Sequence, residues 1–82
     1  MFDAFVFVQT KPGNAARVTE QVRSIDGVTE AQMVTGPYDV IARVRVVDLH
    51  GLNLLISGHM KTIDGVLRVL ASTVVPEQNA LN

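Results

Sequence analysis

The sequence predicts an α+β fold, a ferredoxin-like βαββαβ sandwich whose four-stranded antiparallel sheet carries two helices on one face. The tetrapeptide Ile-Asp-Gly-Val occurs at 25–28 and again at 63–66, 38 positions later. Apolar strand positions recur at the same offset, so that Val6 and Val8 match Val44 and Val46. Each half also reads as strand, helix and strand in turn. Two copies of a half-domain explain these repeats. The alternative, a solenoid of stacked repeats, is disfavoured because it needs at least about three copies.

In the first half, residues 2–9 are almost all apolar, which is typical of a central strand covered on both faces. Lys11-Pro12-Gly13 ends this strand, and Asn14 is predicted to cap a helix. The apolar stripe of that helix consists of Ala15, Val18, Val22 and Ile25. Gly27 is predicted to end the helix in the left-handed conformation, and residues 28–35 alternate as a half-exposed strand.

In the second half, a tight turn at 36–39 leads into a strand over 40–47, and Asp48 is predicted to cap the second helix. The residues predicted to point inward from this helix are Leu49, Leu52, Ile56, Met60 and Ile63. Gly65 closes the helix, and residues 66–75 form the last strand. We therefore expect one domain over residues 1–76, followed by a frayed polar tail over 77–82.

The composition predicts that the chain associates with itself. Hydrophobic residues make up 48% of the 82 residues and the mean hydropathy is +0.27, yet no apolar run approaches the ~18 residues of a membrane helix. The sheet face without helices is predicted to carry four apolar residues and two arginines; they are Phe5, Phe7, Ile41, Val47, Arg43 and Arg45. Covering that face requires a second sheet, so we expect a homodimer and further association of dimers.

Several function classes are disfavoured by the residue content. The net charge is −1 and no basic stripe is visible, which argues against direct DNA binding. The absence of cysteine fits a reducing, cytoplasmic environment. His50 and His59 are too far apart for a helical metal pair, and no nucleophile–base pair or carboxylate dyad emerges. We expect no catalytic residues, no metal and no cofactor.

Several motifs in order resemble a known family. They are Val-Thr-Gly-x-Tyr-Asp-Val at 34–40, Asp48-Leu49, Ile63-Asp64-Gly65-Val66 and Ser72-Thr73-Val74-Val75. Together they resemble the effector-binding RAM domain of the leucine-responsive/AsnC transcription regulators. The resemblance implies amino-acid sensing and oligomerisation. Full-length members carry an N-terminal helix-turn-helix domain, whereas here nothing precedes the first strand, so the expected likeness is to a stand-alone RAM domain.

The candidate effector site is the glycine turn with part of the last strand. Its residues are Thr35, Gly36, Pro37, Tyr38, Asp39, Ser72 and Thr73. A glycine turn exposes amides for a carboxylate, and Asp39 suits an ammonium group. The resemblance implies that effectors sit near this turn, in clefts between neighbouring dimers, and we expect the turn to lie away from the sheet face. The alternative is that Gly36, Pro37 and Asp39 merely build a hairpin turn and that the Tyr38 ring packs at an interface.

Three other functions stay open from the residues. Small cofactor-free monooxygenase-like enzymes share this dimeric α/β-barrel architecture, but here the positions between helices and sheet are aliphatic and should fill the space. The ACT domain has the same βαββαβ order, although the turn signature fits it less well. A purely structural partner of a full-length regulator is the third alternative.

Overall fold

The fold is the predicted βαββαβ sandwich. The protein is described by a computed structural model over residues 1–76; the tail predicted to fray, 77–82, lies outside the described residues. The strands are β1 (Phe2–Thr10), β2 (Val28–Met33), β3 (Val40–Val46) and β4 (Val66–Thr73), and the helices are α1 (Ala15–Arg23) and α2 (Leu49–Leu55). A π-helical segment, Ile56–Met60, continues α2. Across residues 1–76, none of the helices has the length and apolar character needed to cross a bilayer.

The sheet is antiparallel with strand order β2-β3-β1-β4, so β1 is central as predicted. Side chains alternate between faces along each strand, and directly paired residues share a face. Ala4, Val6 and Val8 therefore face the helices, and all three are fully buried. Their partners across the ladder to β3 are Val44, Ala42 and Val40, which are also fully buried. These residues form the centre of the core, as the repeat pattern predicts.

The opposite face carries no helix, and we call it the open face. Phe5 pairs with Arg43, and Phe7 pairs with Ile41, which sets all four on this face. The Arg43 guanidinium lies 5.5 Å from the Phe5 ring centroid, a cation–π contact. Val47, predicted to lie on the same face, follows the end of β3 and is 79% exposed. The placement of the aromatic and cationic residues on the open face is confirmed.

Three local predictions are wrong in part or in full. Asn14 is the N-cap residue of α1, as predicted, but its side chain makes no cap hydrogen bond, and its Oδ1 accepts from Arg17 Nη2 instead. Leu49 is 54% exposed, and Leu55 takes the inward position. The edge strands also end early: β2 ends at Met33, opposite the first residue of β3, and β4 ends at Thr73, although the Val74 amide still donates to the Asp3 carbonyl. The cap at Asp48 is confirmed: its Oδ1 accepts from the Gly51 amide at 2.8 Å.

The repeated tetrapeptide builds the same turn twice. Gly27 and Gly65 have φ of +99° and +96°, and in both copies the Val amide donates to the Ile carbonyl three residues earlier. Each glycine is also crowded. A Cβ on Gly27 would lie 3.0 Å from a Leu55 methyl group, and one on Gly65 would lie 2.8 Å from the Arg17 guanidinium. The left-handed backbone and the close neighbours explain why the glycine recurs in each half.

Gly27→Ala and Gly65→Ala should each lower the free energy of unfolding by about 1–3 kcal/mol, because an L side chain is strained at these φ values. Gly58→Ala is the control: Gly58 lies in the π segment with open space around it and no positive φ. It should raise the free energy of unfolding by about 0.5–1 kcal/mol. Chemical denaturation measures all three, and equal effects at the three positions would contradict the turn argument.

Candidate functional site

The predicted turn connects β2 to β3 and is held by backbone bonds at both ends. The Val34 amide donates to the Asp39 carbonyl at 2.9 Å, and the Asp39 amide donates to the Val8 carbonyl at 2.9 Å. Between them, Gly36 adopts φ +150° with open space where a Cβ would stand. The turn is therefore held by a hydrogen bond to the central strand β1 as well as by the bond within its own hairpin.

The Asp39 side chain strengthens this attachment. Its Oδ2 accepts a hydrogen bond from the Thr10 amide at 2.7 Å. Thr10 lies at the end of β1, where the register with β4 shifts, so its amide needs an acceptor outside the regular ladder. Hydrogen bonds to an ionised carboxylate are among the stronger ones in proteins. One carboxylate oxygen of Asp39 is thus committed to the scaffold.

A concave pocket of about 680 Å³ lies beside this turn, and we call it the turn pocket. One wall is the chain from Val34 to Tyr38. The floor belongs to the open face of the sheet, with side chains from three strands: Phe7, Ile41, Leu70 and Ser72. The Phe7 and Tyr38 rings stand 5.8 Å apart with a tilt of 51°, which joins the wall to the floor.

Five of the seven predicted site residues line the turn pocket; they are Thr35, Gly36, Pro37, Tyr38 and Ser72. Asp39 and Thr73 do not line it. Thr73 pairs with Ala4 and so belongs to the opposite face from Ser72. The roles predicted for Asp39 and Thr73 toward a ligand stay predictions.

The sequence analysis did not predict the apolar floor of the pocket. Phe7, Ile41 and Leu70 come from different strands and meet because Phe7 pairs with Ile41 on one side and with Leu70 on the other. The alternation along β1 assigns Phe7 to the open face, but only the strand registers bring Leu70 beside it. The expectation that the turn lies away from the sheet face is wrong, because the pocket joins the two.

The chemistry of the pocket is apolar with polar groups at its rim. None of the residues that line it is Asp, Glu, Lys or Arg. In the chain from 1 to 76, the amides of Thr35, Gly36 and Tyr38 make no hydrogen bond to other backbone groups. Successive free amides at a glycine turn are a common anion-binding arrangement; Thr35 and Gly36 are successive, and Pro37, which has no N–H, separates them from Tyr38. The hydroxyl groups of Thr35, Tyr38 and Ser72 add neutral donors and acceptors.

Charged groups cluster elsewhere on the open face. Arg45 Nε lies 3.5 Å from Asp3 Oδ1, and Arg43 covers Phe5. This charged end of the face is separate from the lining of the turn pocket. Within the described part of the chain, no group of three His, Cys, Asp or Glu residues is arranged to hold a metal ion.

Comparison with known proteins agrees with this geometry. A protein of Thermus thermophilus, TTHA0845, is 28% identical and superposes with a TM-score of 0.88, over 93% of this chain and 95% of that one. Escherichia coli AsnC, at 22% identity and a TM-score of 0.85 over 92% of this chain, has the same fold. A transcriptional regulator of Neisseria meningitidis, solved in complex with L-Met, also has this fold, at 20% identity and a TM-score of 0.82 over 93% of this chain.

The relatives differ in how much of their own length this chain covers. The chain covers 51% of both AsnC and the Neisseria regulator, about half of each. The curated proteins include no significant match. The family model described as the Lrp/AsnC ligand binding domain matches residues 3–78, nearly the whole sequence. The chain therefore belongs to the Lrp/AsnC ligand-binding domain family.

Proposed function

We propose that this protein senses a small amino acid with an uncharged, apolar side chain and binds it in the turn pocket. The observation that carries the proposal is the combination of an amide-rich rim with an uncharged floor. An amino acid presents the matching groups: a carboxylate for the amides and an apolar side chain for Phe7, Ile41 and Leu70. The Neisseria relative solved with L-Met supports the same class of ligand.

The two charged ends of the ligand need different partners. The amides of Thr35 and Gly36, with the Ser72 hydroxyl, are suited to the carboxylate. Thr73 lies next to Ser72 at the end of β4 and contributes through that strand rather than from the pocket wall. For the ammonium group we propose Asp39, which does not line the pocket but directly follows the wall residue Tyr38. Its Oδ2 is bound to Thr10, and within residues 1–76 its Oδ1 makes no hydrogen bond. Asp39 is half-buried beside Tyr38, so a charge pair there would be partly desolvated.

The proposed sensing is non-catalytic. The space between helices and sheet is filled by aliphatic side chains such as Val6 and Val44, both fully buried, so the region where related barrel enzymes hold their cavity is closed. The turn pocket lies on the other side of the sheet and offers hydroxyl groups without an adjacent base. Binding without turnover fits these residues best.

We further propose that the protein is a homodimer built through the open face. Phe5, 36% exposed, and Leu70, 41% exposed, are large apolar side chains that this face leaves at the surface. A second sheet packed on this face would also cover the turn pocket, so the ligand would lie at the interface between subunits. Higher oligomers of dimers, and association with a full-length regulator of the family, are extensions of this proposal. Direct DNA binding is not part of it, since the net charge is −1.

Leu70→Ala should weaken amino-acid binding by about 1–2 kcal/mol, because the pocket floor loses apolar contact area. The matched control is Leu54→Ala, which removes a leucine of comparable exposure from α2, away from the pocket. A thermal-shift screen of the twenty amino acids identifies the ligand, and calorimetry on both variants measures the loss. Equal affinity in the two variants would place the site elsewhere.

Asp39→Asn separates the two roles of the carboxylate, since asparagine keeps an oxygen acceptor for Thr10 and removes the charge. We expect both Asp39→Asn and Asp39→Ala to weaken ligand binding by about 2–4 kcal/mol. Asp39→Ala should also lower the stability of the free protein, by about 1.5–3 kcal/mol, because the Thr10 amide loses its partner. Asp39→Asn should lower it less, because a neutral acceptor remains. Unchanged affinity in Asp39→Asn would limit Asp39 to anchoring the turn.

Phe5→Asp should separate the proposed dimer, because it places a carboxylate in the middle of the open face. Leu54→Asp, at an exposed apolar site on α2, is the control and should leave the assembly intact. Sedimentation equilibrium at micromolar concentration measures both. A wild-type protein that is a well-folded monomer under these conditions would contradict the dimer.

A further inference from the structure

The side chains of the open face form rows that cross the sheet, because directly paired residues share a face and a level. The row beneath the turn pocket consists of Leu70, Phe7, Ile41 and Gln32. The next row consists of Ser72, Phe5, Arg43 and Glu30. Successive rows are about 7 Å apart, since each residue of a strand adds about 3.3–3.4 Å. The second row is therefore the immediate neighbour of the proposed ligand site.

A smaller cavity of about 220 Å³ lies over the second row, and we call it the middle cavity. It shares Val34 and Ile41 with the turn pocket. The other residues that line it are Phe5, Glu30, Gln32 and Arg43. The turn pocket has no charged lining residue, whereas the middle cavity has a guanidinium and a carboxylate. The two cavities thus form one continuous trough, apolar beside the turn and charged further along the sheet.

Arg43 supplies the positive charge of the middle cavity. Its guanidinium lies 5.5 Å from the Phe5 ring centroid. Glu30 is its partner across the β2–β3 ladder, yet among residues 1–76 Arg43 forms no ion pair and its side chain donates no hydrogen bond. A guanidinium presents a planar fork of N–H donors that matches a carboxylate. These donors are left to solvent above an apolar ring.

Ser72 and Arg43 lie on opposite sides of Phe5 in the second row. Neighbouring strands are about 4.8 Å apart, so the strand of Phe5 is one such step from each of them. Ser72 also lines the turn pocket, where its hydroxyl is suited to the carboxylate of an amino acid. One further residue lengthens a ligand by about 3.3–3.6 Å. That step moves a terminal carboxylate from Ser72 to a position above the Phe5 ring, beside the guanidinium.

We propose that the ligand this site prefers is a dipeptide with an apolar first residue, whose terminal carboxylate binds Arg43. The inference rests on the proposed function, because the first residue occupies the turn pocket as a single amino acid does. Its carbonyl replaces the amino-acid carboxylate at the amides of Thr35 and Gly36. The Gln32 side chain, which makes no hydrogen bond within residues 1–76, offers an acceptor for the peptide N–H. Glu30 repels a carboxylate from the β2 side of the cavity.

A single amino acid leaves the second half of the trough unused. It reaches neither the Arg43 fork nor the exposed part of the Phe5 ring, which is 36% exposed. A second residue fills the middle cavity and gives the guanidinium an acceptor. The dimer proposed above would cover both cavities together, so the whole dipeptide would lie between the two sheets.

A comparison of ligands on the wild-type protein tests the preference. A thermal-shift screen pairs each of the twenty amino acids with the dipeptide that carries alanine after it, and calorimetry measures the best pair. The dipeptide should bind about tenfold more tightly than its first residue alone, because a charged hydrogen bond is added. The C-terminal amide of the same dipeptide should lose this gain, since amidation removes the charge and keeps the size.

Arg43→Gln assigns the preference to one side chain. This variant should bind the dipeptide and its amide with equal affinity. Arg68→Gln is the matched control: it removes the same charge from the same face, where Arg68 pairs with Gln9 and lines neither cavity of the trough. It should keep the roughly tenfold preference for the carboxylate. The ratio of the two affinities is compared, so a general loss of binding in either variant cancels.

The outcomes separate this inference from the function on which it rests. Binding of an apolar amino acid without tighter binding of its dipeptide overturns the inference and leaves the proposed function in place. A protein that binds neither class overturns both. The inference also fails if the amide binds as tightly as the dipeptide with its carboxylate, or if Arg43→Gln keeps the preference.

Discussion

The rest of the structure depends on β1 lying in the middle of the sheet. Its residues must satisfy two different environments at successive positions, because it is paired on both sides. Ala4, Val6 and Val8 support the helices and leave no exposed surface, while Phe5 and Phe7 supply the apolar surface of the open face. The strand therefore fixes both the core and the floor of the turn pocket. A change of register by one residue would exchange the two sets and remove both.

Asp39 connects this central strand to the proposed ligand site. Its amide binds the Val8 carbonyl, and its carboxylate binds the Thr10 amide, so both contacts fall on the last residues of β1. A binding loop is usually the least ordered part of a fold, because few of its backbone groups are paired. Here the loop between β2 and β3 is held against the scaffold at one residue. That arrangement reduces the ordering a ligand would otherwise have to impose.

Much of the fold was predictable because the signals are local. The spacing of Val18 and Val22 defines the buried side of α1, and Ile-Asp-Gly-Val fixes both helix ends through the left-handed glycines. The errors come from competition that a sequence does not display. Asn14 has the right side chain for a cap, but the Arg17 guanidinium binds it instead. Leu49 and Leu55 are equally apolar, and only the approach of α2 to the sheet decides which is buried.

The candidate site also has one part that the local sequence predicts and another that depends on contacts between distant strands. The turn residues from Thr35 to Tyr38 are contiguous, so a motif reveals them. Leu70 lines the pocket because it pairs with Phe7, which is distant in the chain. The alternation of residues along one strand does not predict which residue of another strand it pairs with. The apolar floor, on which the proposed class of ligand depends, is thus the part least visible in the sequence.

The π-helical segment at 56–60 has a consequence for the equivalence of the two halves of the chain. Its i to i+5 bond, from the Lys61 amide to the Ile56 carbonyl, contains one residue more per turn than an α-helix. The offset between the halves is nevertheless 38 residues both before this segment, at Val6 and Val44, and after it, at the second Ile-Asp-Gly-Val. The wider turn is therefore a difference in winding and not an inserted residue, and Met60 is fully buried like its counterpart Val22. Two helices of equal residue count can thus follow different backbone paths between strands that keep the same spacing along the chain.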